Sequence, residues 1–247
     1  MSEGEGQSGK PAGDSISLRN ETQVIEVLAQ SVQGLWEVVN NLTRLRPAKR
    51  SDFQVTIFGS ARVPRDHWVY AAVRDLAKEL AEMGCGIVTG GGPGLMQAAN
   101  EGVALAGPEA QKRSIGIRVD LPFEQDINPF VTEAYEHRTF FSRLHHFVLV
   151  SDAFVVVPGG IGTVLELTMI WQLLQVRKLH QTPLILIGRM WSDFVAWGRQ
   201  YFLKSEIGLA NPEDLAIPHC VTSAEEAIAL IRQRHEEWLR EPGGTPQ

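Results

Sequence analysis

Short apolar runs and longer one-sided stretches alternate along most of the chain. The runs over residues 55–58, 86–89, 114–119, 154–157, 183–187 and 219–221 are rich in β-branched residues and stop at glycine, proline or polar residues, which predicts short buried strands. A further short strand is predicted over 131–136. Between the runs, apolar residues recur at helical spacing. Val69, Val73, Leu76 and Leu80 make one stripe, with Asp66 placed to cap its start and Gly84 to close its end. Helices follow over 95–105, 140–150 and 191–203, and Leu167, Ile170, Trp171 and Leu174 stand at i, i+3, i+4 and i+7. Ser223 and Glu226 have capping-box spacing ahead of Ala224, Ala227, Ile228 and Ile231. Repeated strand–helix alternation predicts an α/β protein, a Rossmann-like doubly wound parallel sheet with helices on both faces. Ligands then belong at the carboxyl ends of the strands.

Ahead of the alternation, Ile25, Leu28, Val32, Leu35, Val39 and Leu42 alternate spacings of three and four, a heptad seam on one helix over about 18–46, ended by Pro47. Such a helix has to dock on the domain or on a second subunit. The predicted organisation is a disordered lead over 1–17, an N-terminal extension helix and linker over 18–50, one nucleotide-binding domain over 51–240 and a flexible tail over 241–247. With 247 residues, 44% hydrophobic and 21% charged, the chain can bury one sizeable core. Its net charge of −6 argues against a nucleic-acid or membrane-surface partner. The lead is rich in Gly, Ser and Glu without an apolar segment, so no signal peptide is predicted, and no stretch is apolar for long enough to span a bilayer. Cys85 and Cys220, each beside a predicted strand, read as buried thiols in a reducing compartment. These features predict a soluble cytoplasmic protein.

Three loops should open on one edge of the sheet: 59–62, 90–94 and 158–163. The last joins the strand over 154–157 to a helix through Pro158, Gly159, Gly160, Ile161, Gly162 and Thr163. Gly159, Gly160 and Gly162 let backbone N–H groups approach an anion, the helix dipole adds partial positive charge, and Thr163 can add a hydroxyl. That is a phosphate cradle with one acid, Glu166, beside it; the plain alternative is a tight strand-to-helix turn. Neither Gly92-Pro93-Gly94, followed at the required place by Gln97, nor Gly160-Ile161-Gly162, followed by Leu165, fits a dinucleotide fingerprint, and no Gly-Lys-Ser/Thr triplet occurs. Adjacent His145 and His146 point to different sides of a helix and read as a solvated pair, so neither metal nor cofactor is predicted. The tryptophans Trp171, Trp191, Trp197 and Trp238 read as core and subunit contact, and Met96 as filling under its loop.

Gly90-Gly91-Gly92-Pro93-Gly94-Leu95-Met96 together with Pro158-Gly159-Gly160-Ile161-Gly162-Thr163-Val164-Leu165-Glu166 resemble the paired signatures of the lonely-guy family, cytokinin-activating phosphoribohydrolases often mislabelled as lysine decarboxylases. The resemblance runs from about Val55 to Arg232. It implies hydrolysis of the N-glycosidic bond of a nucleoside 5′-monophosphate, AMP or a related, cytokinin-type nucleotide, in a homodimer or higher homo-oligomer. Residue by residue, the family's catalytic pair falls on Arg143 and Glu166. The expected phosphate and nucleotide contacts are the loop residues Gly91, Gly92, Gly94, Gly159, Gly160, Gly162 and Thr163, with Ser60 and Arg62 placed by their position after the first strand. Leu144 and Phe147 depart from the family's usual Lys and Met, which leaves the base open. Arg143, between Phe140 and Phe147, could instead serve as a structural partner for an acid such as Asp152. Glu166 could be only a first-turn acid, Ser60 a turn cap and Arg62 a surface charge; Arg138 and Thr139 read as connector. A non-catalytic nucleotide or molybdenum-cofactor carrier of the same superfamily is the competing expectation. Lysine decarboxylation would need a pyridoxal Schiff base, and Lys78, Lys112, Lys178 and Lys204 all fall away from the strand ends.

Overall fold

A computed structural model describes residues 24–32, 51–120, 127–179, 182–204 and 207–241. The chain divides into two units, 1–48 and 49–247. Residues 24–32 of the first are helical, with Ile25, Leu28 and Val32 exposed; the rest of the predicted heptad seam, the lead over 1–17 and the tail from 242 lie outside the described residues.

The second unit holds a seven-stranded sheet in the order β4-β3-β2-β1-β5-β6-β7, every pair parallel. The strands are β1 Gln54–Phe58, β2 Gly86–Thr89, β3 Ser114–Val119, β4 Glu133–His137, β5 Ala153–Val156, β6 Leu184–Ile187 and β7 Pro218–Val221. The helices are α1 Trp68–Glu82, α2 Leu95–Leu105, α3 Pro108–Gln111, α4 Phe140–Val150, α5 Ile161–Gln175, α6 Arg189–Gly198 and α7 Ala224–Arg240. Because both faces are covered, the central strands are apolar throughout, and their two-residue period sorts them between two cores. Val55, Ile57, Ile87, Ala153, Val155 and Ile185 point to the α1, α2 and α7 side. Phe58, Val88, Phe154, Val156, Leu184 and Leu186 point to the other side, where Phe147, Leu167, Ile170 and Trp191 from α4, α5 and α6 close over them. Strand order reverses between β1 and β5, and a crevice at their carboxyl ends follows from that reversal.

Several local expectations change. The cap of α1 is His67, whose Nδ1 accepts from the Val69 N–H at 3.2 Å, and not Asp66. The helix predicted over 191–203 starts at Arg189 and gives way after Gly198 to a π-helical turn, Arg199–Leu203. Ser223 does cap α7, accepting from Glu226 N–H, but the Glu226 carboxylate returns to the Thr222 N–H and hydroxyl, one residue earlier than the reciprocal box requires. Cys85 is buried, with burial pushing its thiol up to about 12, whereas Cys220 is exposed, on the edge strand β7.

Candidate active site

The three predicted loops converge at the carboxyl ends of β1, β2 and β5, and backbone bonds tie them together. Ser60 N–H donates to Pro158 O at 3.0 Å, and Leu95 N–H donates to Ser60 O at 2.8 Å, so residue 60 bridges the other two loops. Gly94 lies at φ 67°, and a Cβ there would run into the backbone of Ser60 and Ala61. Glycine at 94 therefore lets two of the loops touch.

The cradle between β5 and α5 differs in character from that crossing. Helix α5 begins at Ile161 behind Gly160, with no side chain capping its start, so the first-turn N–H groups face outward. Gly160, Ile161 and Gly162 are exposed, and a Cβ at Gly160 or Gly162 would meet nothing within 4 Å. No internal packing demand explains glycine at those two positions, whereas at Gly159 a Cβ would strike the buried Thr163 side chain.

Arg143 and Glu166 meet in this region. Arg143 Nη1 lies 3.4 Å from Glu166 Oε1, and each side chain is only about one-tenth exposed, 10% and 11%. Arg143 is set by three contacts: Nε donates to Ile117 O at 2.9 Å, the guanidinium carbon lies 5.3 Å from the centre of the Phe147 ring, and Nη2 packs against Gly90. A Cβ at residue 90 would occupy the space of that nitrogen. Asp152 is engaged elsewhere, accepting from Gln54 N–H at 2.8 Å, so the acid facing Arg143 is Glu166. Glu166 falls in the second turn of α5, on its buried face, too far into the helix to be the dipole-favoured first-turn acid. Burial raises its pKa to about 7, against a lowering influence from Arg143. The carboxyl group can thus exchange a proton near neutral pH.

The remaining expected contacts divide. Ser60 Oγ accepts from Arg62 N–H at 3.1 Å, so its hydroxyl caps a turn, and Arg62 is exposed. Arg138 is exposed, and Thr139 is the N-cap of α4, accepting from Ser142 N–H at 3.1 Å. Met96 packs its thioether under Gly90 and Gly92. His145 and His146 are not a solvated pair: both are half-buried, and His146 Nδ1 lies 2.9 Å from His137 Nε2 on β4. Trp191 and Trp238 are buried, while Trp197 is half exposed and lines, with Trp171, Phe194 and Phe202, a cavity of about 520 Å³ that contains none of the expected site residues.

Sequence reasoning missed the polar network beneath residues 90–92. Thr89, Asn100, Ser114 and Asn128 are all buried and hydrogen-bonded to one another or to that loop. The only sequence signal was polar side chains in apolar surroundings, Thr89 closing a strand and Asn100 inside a helix. Among the described residues no group of three or more His, Cys, Asp or Glu side chains could hold a metal, and no helix is long and apolar enough to cross a membrane. The lysines among them, Lys78 on α1, Lys112 capping α3, and Lys178 and Lys204 on exposed turns, all lie away from the strand ends.

A family model described as "Possible lysine decarboxylase" matches residues 96–231, just over half of the chain. The chain is 31% identical over 142 residues to the pyrimidine/purine nucleotide 5′-monophosphate nucleosidase of Escherichia coli K12. That match covers 54% of this chain and 30% of the relative, so the chain spans about a third of the relative's length. Among solved structures, the molybdenum cofactor carrier protein of Chlamydomonas reinhardtii is similar with a TM-score of 0.54 at 21% identity, over 74% of this chain and 98% of that one. The molybdenum cofactor binding protein of Rippkaea orientalis gives 0.53 at 19% identity, over 74% and 97%. At such identities the likeness is one of fold.

Proposed function

Because the chain belongs to the possible lysine decarboxylase family, whose lonely-guy members its two glycine motifs resemble, we propose that it hydrolyses the N-glycosidic bond of a nucleoside 5′-monophosphate to free base and ribose 5-phosphate. The observation that carries this reading is the buried Arg143–Glu166 pair beside an uncapped, glycine-lined helix start. The nucleosidase named for the Escherichia coli relative accords with it.

In this reading the 5′-phosphate rests on the N–H groups of residues 160–163, where the α5 dipole favours an anion. As the bond from C1′ to the base nitrogen breaks, the base takes the electron pair and positive charge spreads over the ribose ring; the base is protonated from solvent, to which Glu166 returns the proton it takes from the attacking water. Ionised Glu166 stabilises that charge and accepts the proton of the water that adds to C1′. Arg143 holds the carboxylate in place and favours its ionised form. AMP, or a related cytokinin-type nucleotide, is the substrate we infer, and a cytoplasmic location follows for a protein that acts on it. We also infer a homo-oligomer. Helices α4 and α5, on the same side of the sheet, expose Phe140, Phe141, Leu149, Ile161 and Leu165.

The test is to incubate purified protein with AMP, GMP, CMP and UMP and assay free base. The wild type should release base, and Glu166→Gln, which keeps shape and removes charge, should lose the activity on the order of 100-fold or more while remaining folded. Tight nucleotide binding with no base from any of the four would turn the reading to a carrier.

A further inference from the structure

The Asn128 carboxamide, 5% exposed, is the hub of the network under the Gly90–Gly94 loop. Its Nδ2 lies 3.1 Å from Gly91 O, 3.1 Å from Gly92 O and 3.0 Å from Asn100 Oδ1, and its backbone N–H donates to Gly91 O at 2.8 Å. Asn100 is held in turn: Oδ1 accepts from Thr89 Oγ1 at 2.7 Å and Nδ2 donates to Ser114 Oγ at 2.9 Å. The Gly91 N–H is drawn inward too, donating to Thr89 Oγ1 at 2.9 Å.

These bonds dictate what the loop presents. A trans peptide sets its C=O and N–H on opposite sides, and the protein has no cis peptide among the described residues. The Gly91 carbonyl is turned inward to Asn128, so the N–H of the same peptide, that of Gly92, is turned away from the interior. The Gly92 carbonyl is also held inward, and the next residue, Pro93, has no N–H to offer. Among the described residues nothing accepts from Gly92 N–H. It therefore stands at the carboxyl edge of β2 as a donor of fixed direction, two residues from the glycine against which the Arg143 guanidinium packs.

We propose that Asn128 is a positioning residue: by holding two carbonyls of the loop inward, its carboxamide aims Gly92 N–H at a phosphate oxygen of the substrate, opposite the donors of the α5 start. The proposal rests on the nucleotide reading above. It assigns the two glycine loops to one anion, held from two sides, rather than to phosphate and base separately.

Two experiments bear on it. In protein labelled with ¹⁵N-glycine, ribose 5-phosphate should move the Gly92 amide resonance downfield as it saturates; a Gly92 resonance that stays fixed while the wild type binds the ligand overturns the proposal. In Asn128→Ala, the KM for AMP and the inhibition constant of inorganic phosphate should rise together by about tenfold, the loss of one hydrogen bond to a charged group, with kcat within about twofold. Asn128→Asp should be worse than the alanine variant at pH 8, where a carboxylate opposes two carbonyls and repels the phosphate. A fall in kcat at unchanged KM, or unchanged phosphate inhibition, leaves Asn128 a purely structural residue and the nucleotide reading intact. A wild type that neither binds ribose 5-phosphate nor releases base removes both.

Discussion

Glu166 is pulled two ways, and the balance makes its pH behaviour measurable. Burial raises its pKa from 4.5 to about 7, and the Arg143 guanidinium opposes the rise. A carboxyl whose folded value exceeds its unfolded one binds more protons in the folded state between the two. Its contribution to stability is thus complete below about pH 4.5 and lost as pH rises through about 7. Thermal or urea unfolding should show wild type losing stability relative to Glu166→Gln across that window, by at most about 1.4 kcal/mol per pH unit. Catalysis by the ionised form should run the other way, with kcat/KM for base release climbing through an ascending limb near pH 7. Arg143→Gln removes the influence that lowers the pKa, so the limb should move to higher pH and the maximum rate should fall. A limb that stays in place would mean that the guanidinium does not act on this carboxyl.

At the level of elements, α5 links core to chemistry: Leu167 and Ile170 are buried against the sheet, while the same helix begins with the cradle and carries Glu166. Leu167→Ala should cost roughly 2–5 kcal/mol in urea unfolding, and the cap substitution Ser223→Ala on α7 about 1 kcal/mol with unchanged base release. Gly90→Ala should instead reduce turnover, since the added methyl crowds Arg143 Nη2 as well as the Met96 sulfur packed beneath the loop. Strands β2 and β3 and helices α2 and α4 lie where the sequence pattern put them, because a parallel sheet covered on both faces writes itself as apolar runs and amphipathic stretches. The cap at His67 and the π-helical turn after Gly198 were not legible, since a ring nitrogen acting as acceptor and a local change of helical pitch leave no periodic trace. The pairing of Arg143 with Glu166 came from the motif resemblance, and Asn128 escaped notice because its bonds reach residues 91, 92 and 100, far away in sequence.

For the whole molecule, the exposed apolar residues of α4 and α5 carry the prediction about assembly. Leu165→Glu, on the exposed side of α5, should shift sedimentation towards a monomer, and base release by the monomer would show whether each copy holds a complete site. The bridge at Ser60 has a separate consequence. With its N–H joined to one loop and its carbonyl to another, the floor of the crevice is stapled across three neighbouring parallel strands before any nucleotide arrives. Amide deuteration at Ser60 and Leu95 should be as slow in the empty protein as in the strands themselves, and little ordering entropy should be spent when a ligand settles there.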